Sequence, residues 1–155
     1  MLLCSALSAA AVAQSENDVG LTMDGGILTV IYGQNCGPLA CTPFPAGGVT
    51  FLDRRTVIAY GAMQSPYMVA LGLRGPCLQF PGVGNRLLLQ LPAAPLFLGV
   101  CDRPLMTGAC RQYMGRNSFV LPPSGPAGLA FRMQSVGVGN AGIPAFGPAL
   151  DLVLR

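Results

Sequence analysis

From residue 19 to the C-terminus the chain is a succession of short apolar runs separated by clusters of Gly, Pro, Asn and Ser. Where polar residues enter a run, they do so with the period of two that puts alternate side chains on opposite faces of a strand. Tyr67, Val69, Leu71 and Leu73 share one face of the run 67–73. Leu129, Phe131 and Met133 alternate with Ala130, Arg132 and Gln134, and Leu150, Leu152 and Leu154 alternate with Asp151 and Val153. Residues 86–91 (RLLLQL) form a nearly unbroken apolar run, which is the pattern of a strand buried on both faces. Together with 19–23, 27–32, 55–60, 96–101 and 118–121, these runs predict strands over 67–73, 86–91, 129–136 and 150–154. Asp24-Gly25-Gly26 supplies a hairpin turn between the first two. Turn signals about every dozen residues point to an all-β fold, an antiparallel β-sandwich of jelly-roll or Ig-like type with about 8–10 strands.

Composition agrees with that pattern and adds a compartment. Gly (21) and Pro (14) together exceed a fifth of the 155 residues. Only residues 1–13 (MLLCSALSAAAVA) lack both and favour helix by their alanines. That segment ends in Ala11-Val12-Ala13, so it reads as a cleaved signal peptide, with 14–155 as a single β-sandwich domain. A lipid anchor at Cys4 is the weaker reading, because the large Leu3 precedes it. The stretch 87–100 is broken by Gln90, Pro92 and Pro95 and is shorter than the roughly 20 residues of a bilayer-spanning helix. The expected location is extracellular or the cell surface.

In an exported chain, cysteines read first as disulfides. Cys36-Gly-Pro-Leu-Ala-Cys41 closes a small loop, and Cys101 to Cys110 encloses another with Pro104 and Gly108 as turn residues. Cys77 is then the unpaired thiol or an alternative partner. A zinc site is the lesser alternative, since the chain has no histidine and neither spacing is a C-x2-C knuckle.

Catalysis is poorly provisioned. Histidine, lysine and tryptophan are all absent, which removes Ser-His-Asp and Cys-His arrangements, Schiff bases and the P-loop lysine. The carboxylates Glu16, Asp18, Asp24, Asp53, Asp102 and Asp151 are scattered, and no catalytic residue, cofactor or metal site is assigned. Asp18 and Asp24 flank the first hairpin, too few ligands for a dedicated calcium loop. Asp53-Arg54-Arg55 and Asp102-Arg103 read as a solvated rim. Gly137-x-Gly139-x-x-Gly142 has the dinucleotide-binding spacing, but Pro144 and Pro148 forbid the helix it needs. The twin motifs at 81–85 (PGVGN) and 136–140 (VGVGN) read as turns at strand ends rather than as an internal repeat. A net charge of +3, with arginines mostly single and 7% aromatics, speaks against nucleic acid.

Charged residues are only 10% of the chain, against roughly 25% in an ordinary domain. So sparsely charged a surface suits coverage by other copies of the chain. The stretches VALGLRGPCLQFPGVGNRLLLQL, SFVLPPSGPAGLAFRMQSVGVGN and FGPALDLVLR resemble the small β-sandwich domains at the C-termini of secreted proteins from Planctomycetes and similar environmental bacteria. That resemblance implies an accessory, surface or assembly role and brings no activity and no functional residues. The expectation is a non-enzymatic, secreted structural subunit that self-assembles into a filament or layer, residues 14–23 reaching a neighbour by strand addition. The alternative is a carbohydrate- or ligand-binding module. Its glycan site would draw on Tyr32, Tyr60, Tyr67 and Tyr113, with Arg111 and Asn117 beside them.

Overall fold

A computed structural model describes residues 19–24, 31–34, 41–49, 53–104, 113–120 and 125–155. The described residues form two five-stranded sheets and a two-stranded ribbon. The first sheet runs β2 (Ile31–Gln34), β1 (Gly20–Asp24), β4 (Arg54–Gly61), β10 (Tyr113–Val120), β9 (Arg103–Pro104). The second runs β3 (Phe44–Val49), β12 (Pro144–Leu154), β11 (Ala130–Val138), β5 (Pro66–Gly72), β8 (Ala94–Val100). The ribbon pairs β6 (Arg74–Leu78) with β7 (Leu87–Leu89). The chain is all-β, and its two large sheets pack as a sandwich.

The period-two pattern builds the core. Leu21, Met23, Val57 and Ala59 point inward from the first sheet, and Val69, Met133, Leu150 and Leu152 meet them from the second. All eight are at most 1% exposed. Tyr67 reaches across the same space, and glycine is required where it lands. A Cβ on Gly115 would lie 2.0 Å from the Tyr67 ring.

Several expectations change. One strand pair is parallel, β3 on β12, so the sandwich is not purely antiparallel. Strands β3 (FPAGGV), β6 (RGPCL) and β9 are additional to the expected set, and β12 begins at Pro144 rather than 150. Their Gly and Pro content erases the apolar signal, while pairing with a neighbour still orders the backbone. The second strand is described over Ile31–Gln34, overlapping the end of the expected 27–32, and it pairs with β1 as a hairpin would. In the first twin motif Gly82 and Asn85 take positive φ, as turns require, whereas Val136–Val138 of the second are the end of β11.

The cysteines are also rearranged. Cys41 is bonded to Cys77 with Cα atoms 5.6 Å apart, so Cys41 does not close a local loop with Cys36 and Cys77 is not the leftover thiol. Cys101 is a free thiol buried in the core rather than half of a Cys101–Cys110 loop. The reason is tertiary: β6 folds back beside the segment that enters β3, and β8 delivers Cys101 into the sandwich. Cys36, Cys110 and residues 1–18 lie outside the described residues.

Candidate functional site

The outer face of the second sheet carries a concave feature. Arg132, Gln134 and Val136 of β11 point outward, opposite to Met133 and Phe131, and the ribbon covers the first two. Arg132 is 6% and Gln134 2% exposed. Buried polar groups demand partners, and the ribbon's backbone supplies them. Gln134 Oε1 accepts from Leu88 N at 2.8 Å, and its Nε2 donates to Arg86 O at 2.8 Å and Gly147 O at 2.9 Å. Arg132 Nη1 donates to Leu88 O at 2.8 Å. Its Nε and Nη2 grip Asp151 Oδ1 and Oδ2 at 2.6 and 3.1 Å, a bidentate pair. Arg74 Nε adds a third contact to Asp151 at 3.2 Å.

The ribbon is further fixed at its far end by the Cys41–Cys77 bond, with the Arg86 guanidinium 3.3 Å from Cys41 Sγ. Close approach of its two strands depends on Gly75, where a Cβ would sit 2.3 Å from the Leu89 carbonyl carbon. The loop leading into β7 is tied down in turn. Gly84 N donates to Pro144 O at 2.8 Å and Phe146 N to Gly84 O at 3.0 Å. Asn85, at φ 61°, donates through Nδ2 to Phe146 O at 2.7 Å.

These anchors hold the ribbon off the sheet and leave a cavity of about 460 Å³ between them. Its floor is Met68 and Ala70 of β5 with Val136 and Phe146; Leu87 and Leu89 of β7 form one wall. Phe80 and Pro81 form another wall, with Leu91 and Ala93 beyond β7. Phe80 pairs with Phe146 at 6.0 Å between ring centroids. No ionisable side chain is among its lining residues. Its two polar side chains are already engaged: Gln134 with the ribbon and Gly147, Ser135 with Gly20 O at 3.1 Å.

Among the described residues, the sequence-predicted glycan residues do not form an exposed platform, although Tyr67 and Asn117 are in contact. Tyr60 is buried with its hydroxyl 3.0 Å from Thr22 Oγ1, and Tyr67 is buried and accepts from the Asn117 amide. Burial pushes both phenols above the usual tyrosine value, each hydrogen bond partly offsetting it. Tyr113 is half-buried against the core, and the Tyr32 side chain and Arg111 lie outside the described residues. Among the described residues no group of three His, Cys, Asp or Glu could hold a metal. Asp24 has one buried carboxylate oxygen without a hydrogen bond, and Asp18 lies outside the description. Asp102–Arg103 is an exposed pair, as a solvated rim would be. Arg55 departs from that reading: it is 4% exposed and bonded to Asp53 at 3.0 Å. No described helix is long and apolar enough to cross a membrane.

The cavity residues carried a signal that single-face reading passes over. In the run 67–73 the outward positions Met68 and Ala70 are apolar too, and the centre of 86–91, Leu87 to Leu89, is apolar on both faces. Both say that something apolar lies outside the sheet as well as within the sandwich.

No family model matches the chain, and no curated protein does. Two solved structures are similar to it in outline. An AA10 lytic polysaccharide monooxygenase (LPMO) from Streptomyces lividans aligns at 16% identity and a TM-score of 0.38, over 69% of this chain and 58% of that one. A chitin binding domain from Burkholderia pseudomallei aligns at 13% identity and a TM-score of 0.41, over 70% of this chain and 56% of that one. The chain thus spans less than three-fifths of the length of either.

Proposed function

We propose that the chain is a non-catalytic β-sandwich binding module whose site is the cavity beneath the β6–β7 ribbon. The observation that carries the proposal is a pre-formed, apolar-lined space of about 460 Å³ with every polar lining side chain already hydrogen-bonded. That size lies within the range of small-molecule sites, roughly 300–1,000 Å³. The Cys41–Cys77 bond suits an oxidising compartment, in keeping with action outside the cell.

The test is titration with phenylnaphthylamine, an uncharged apolar fluorophore, against the wild-type chain and Ala70→Phe. Ala70 forms part of the floor, so the larger side chain occupies the cavity. One saturable site, weakened at least about tenfold by Ala70→Phe with the sandwich intact by near-ultraviolet circular dichroism, is the expected result. Equal binding by both proteins overturns the reading.

A second reading, glycan binding, has one observation in its favour. The Phe80 ring stands at the cavity wall 37% exposed, a stacking surface the buried tyrosines do not offer. Retention on insoluble glycans that Phe80→Ala abolishes, with no fluorophore binding, would move the function there.

A further inference from the structure

The floor of the cavity continues one strand beyond it. Register across the second sheet sets Leu98 opposite Met68, Met68 opposite Val136, and Val136 opposite Phe146. Directly opposed residues in antiparallel pairs point to the same face. Met68, Val136 and Phe146 all line the cavity, so Leu98 continues their row outward along the same face to the edge strand β8. There it is 73% exposed. The row crosses four strands, or three spacings, and is therefore about 14 Å long. It contains no charged side chain.

The chemistry of this track selects its occupant. The row's side chains offer no hydrogen-bond donor or acceptor, and the cavity's polar side chains are engaged. A peptide or saccharide laid along it would bury amides or hydroxyls without partners, which is costly. A hydrocarbon chain carries no such groups. The length of the row, about 14 Å across four strands, suits a linear ligand.

Building on the binding-module reading, we infer that the ligand is a single unbranched hydrocarbon chain, the acyl tail of a lipid. It lies along the cavity floor of Phe146, Val136 and Met68, with its far end carried out of the cavity over Leu98. The tail comes either from a free lipid in solution or from a membrane surface, and the chemistry read by the site is the same.

The experiment is displacement of phenylnaphthylamine by linear alcohols from hexanol to tetradecanol, on the wild-type chain and on Leu98→Ser. Each added methylene is expected to tighten binding about fourfold until the row is filled. Leu98→Ser is expected to weaken the long alcohols and to leave hexanol and the fluorophore unchanged, because those fit within the cavity. Fluorophore binding with no gain beyond the shorter alcohols, and no effect of Leu98→Ser, overturns the extended track while the cavity reading stands. Absence of any saturable fluorophore binding overturns both. Co-sedimentation with phosphatidylcholine vesicles then identifies the source. Vesicle binding lost in Leu98→Ser supports a membrane lipid, and alcohol binding without vesicle binding supports a free one.

Discussion

Met133 and Arg132 are consecutive residues of β11, buried to 0% and 6% exposure, yet they stand on opposite faces of one sheet and are held by different physics. Met133 faces a second sheet of matching apolar pattern, and side chains from both interdigitate until the space between them is filled. Arg132 faces a ribbon whose β7 strand is three residues long, and apolar packing there is confined to a small cluster of Leu87 and Leu89 with Ala70, Ala93 and Phe146. The rest of the outer face is joined by directional bonds, from Arg132 and Gln134 to ribbon carbonyls and an amide. Packing fixes position by filling volume. Hydrogen bonds fix it at a few points and leave the volume between them free. That difference explains why the cavity lies under the ribbon rather than in the sandwich.

Removing the anchor is the harshest way to break the comparison. Arg132→Met leaves Asp151 with Arg74 alone and strips Leu88 O of its partner. A loss of up to about 3–5 kcal/mol is expected, the cost of removing one partner of a buried pair, lessened by the contact Asp151 keeps with Arg74. Fluorophore binding should fail first, at temperatures where far-ultraviolet circular dichroism still shows a folded sandwich. Met133→Ala is the matched experiment on the inner face. It should cost about 2–5 kcal/mol through the cavity it creates. Its effect on the thermal midpoint should come without a separate loss of ligand binding at temperatures where the protein is folded. If the two variants melt and bind alike, the two faces are one cooperative unit and the distinction fails.

The Cys41–Cys77 bond sharpens the same contrast from the ribbon's other end. It closes a loop of 36 residues in sequence separation, so its removal by Cys77→Ser should cost about 3–4 kcal/mol. Reduction of the wild-type chain should do the same, and pulse proteolysis should place the first cut in residues 74–89 rather than in β4 or β11. Equal protection of the ribbon before and after reduction would show that Arg132 and Gln134 hold it unaided.

The inner face was legible because its signal is local. The 129–136 run alternates with period two, and the structure places Phe131 and Met133 inward as the alternation says, while the β-branched Thr56, Val57 and Ile58 of RTVIAY mark the strand that brings Val57 and Ala59 to meet them. The outer face was not, because its signal is tertiary. Arg132 and Gln134 read as the solvent side of a strand, and nothing in their neighbours announces that residues 87–89 will fold over them. The disulfide failed for the same reason. Local spacing favours Cys36 for Cys41, whereas the actual partner arrives only once β6 has turned back beside β3. The hairpin ends and the buried character of RLLLQL could be read; the ribbon they form, and the space beneath it, depended on register across several strands.

The smallest effect separates the two faces by pH. The inner core holds the Cys101 thiol and the Tyr67 phenol, the Tyr60 phenol is buried on the opposite face of β4, and burial raises all three above their ordinary values of 9.0 for the thiol and 10.0 for the phenols. Their neutral forms are the ones the folded chain accommodates. Below about pH 9 every one of them is protonated in both states, so their contribution is fully present. Above it the unfolded chain loses protons that the folded chain retains. The folded state then binds more protons, and stability falls as pH rises, by up to about 1.4 kcal/mol per pH unit for each group. Urea midpoints measured from neutral pH upward should therefore be flat and then decline. Cys101→Ala should move the onset from about pH 9 toward pH 10, because only the phenols remain. The cavity is lined by no ionisable side chain, so fluorophore affinity should stay level through this range for as long as the sandwich is folded. Affinity that falls before the urea midpoint does would mean that ionisation in the core is felt on the outer face, and the two sides of β11 would no longer be separable.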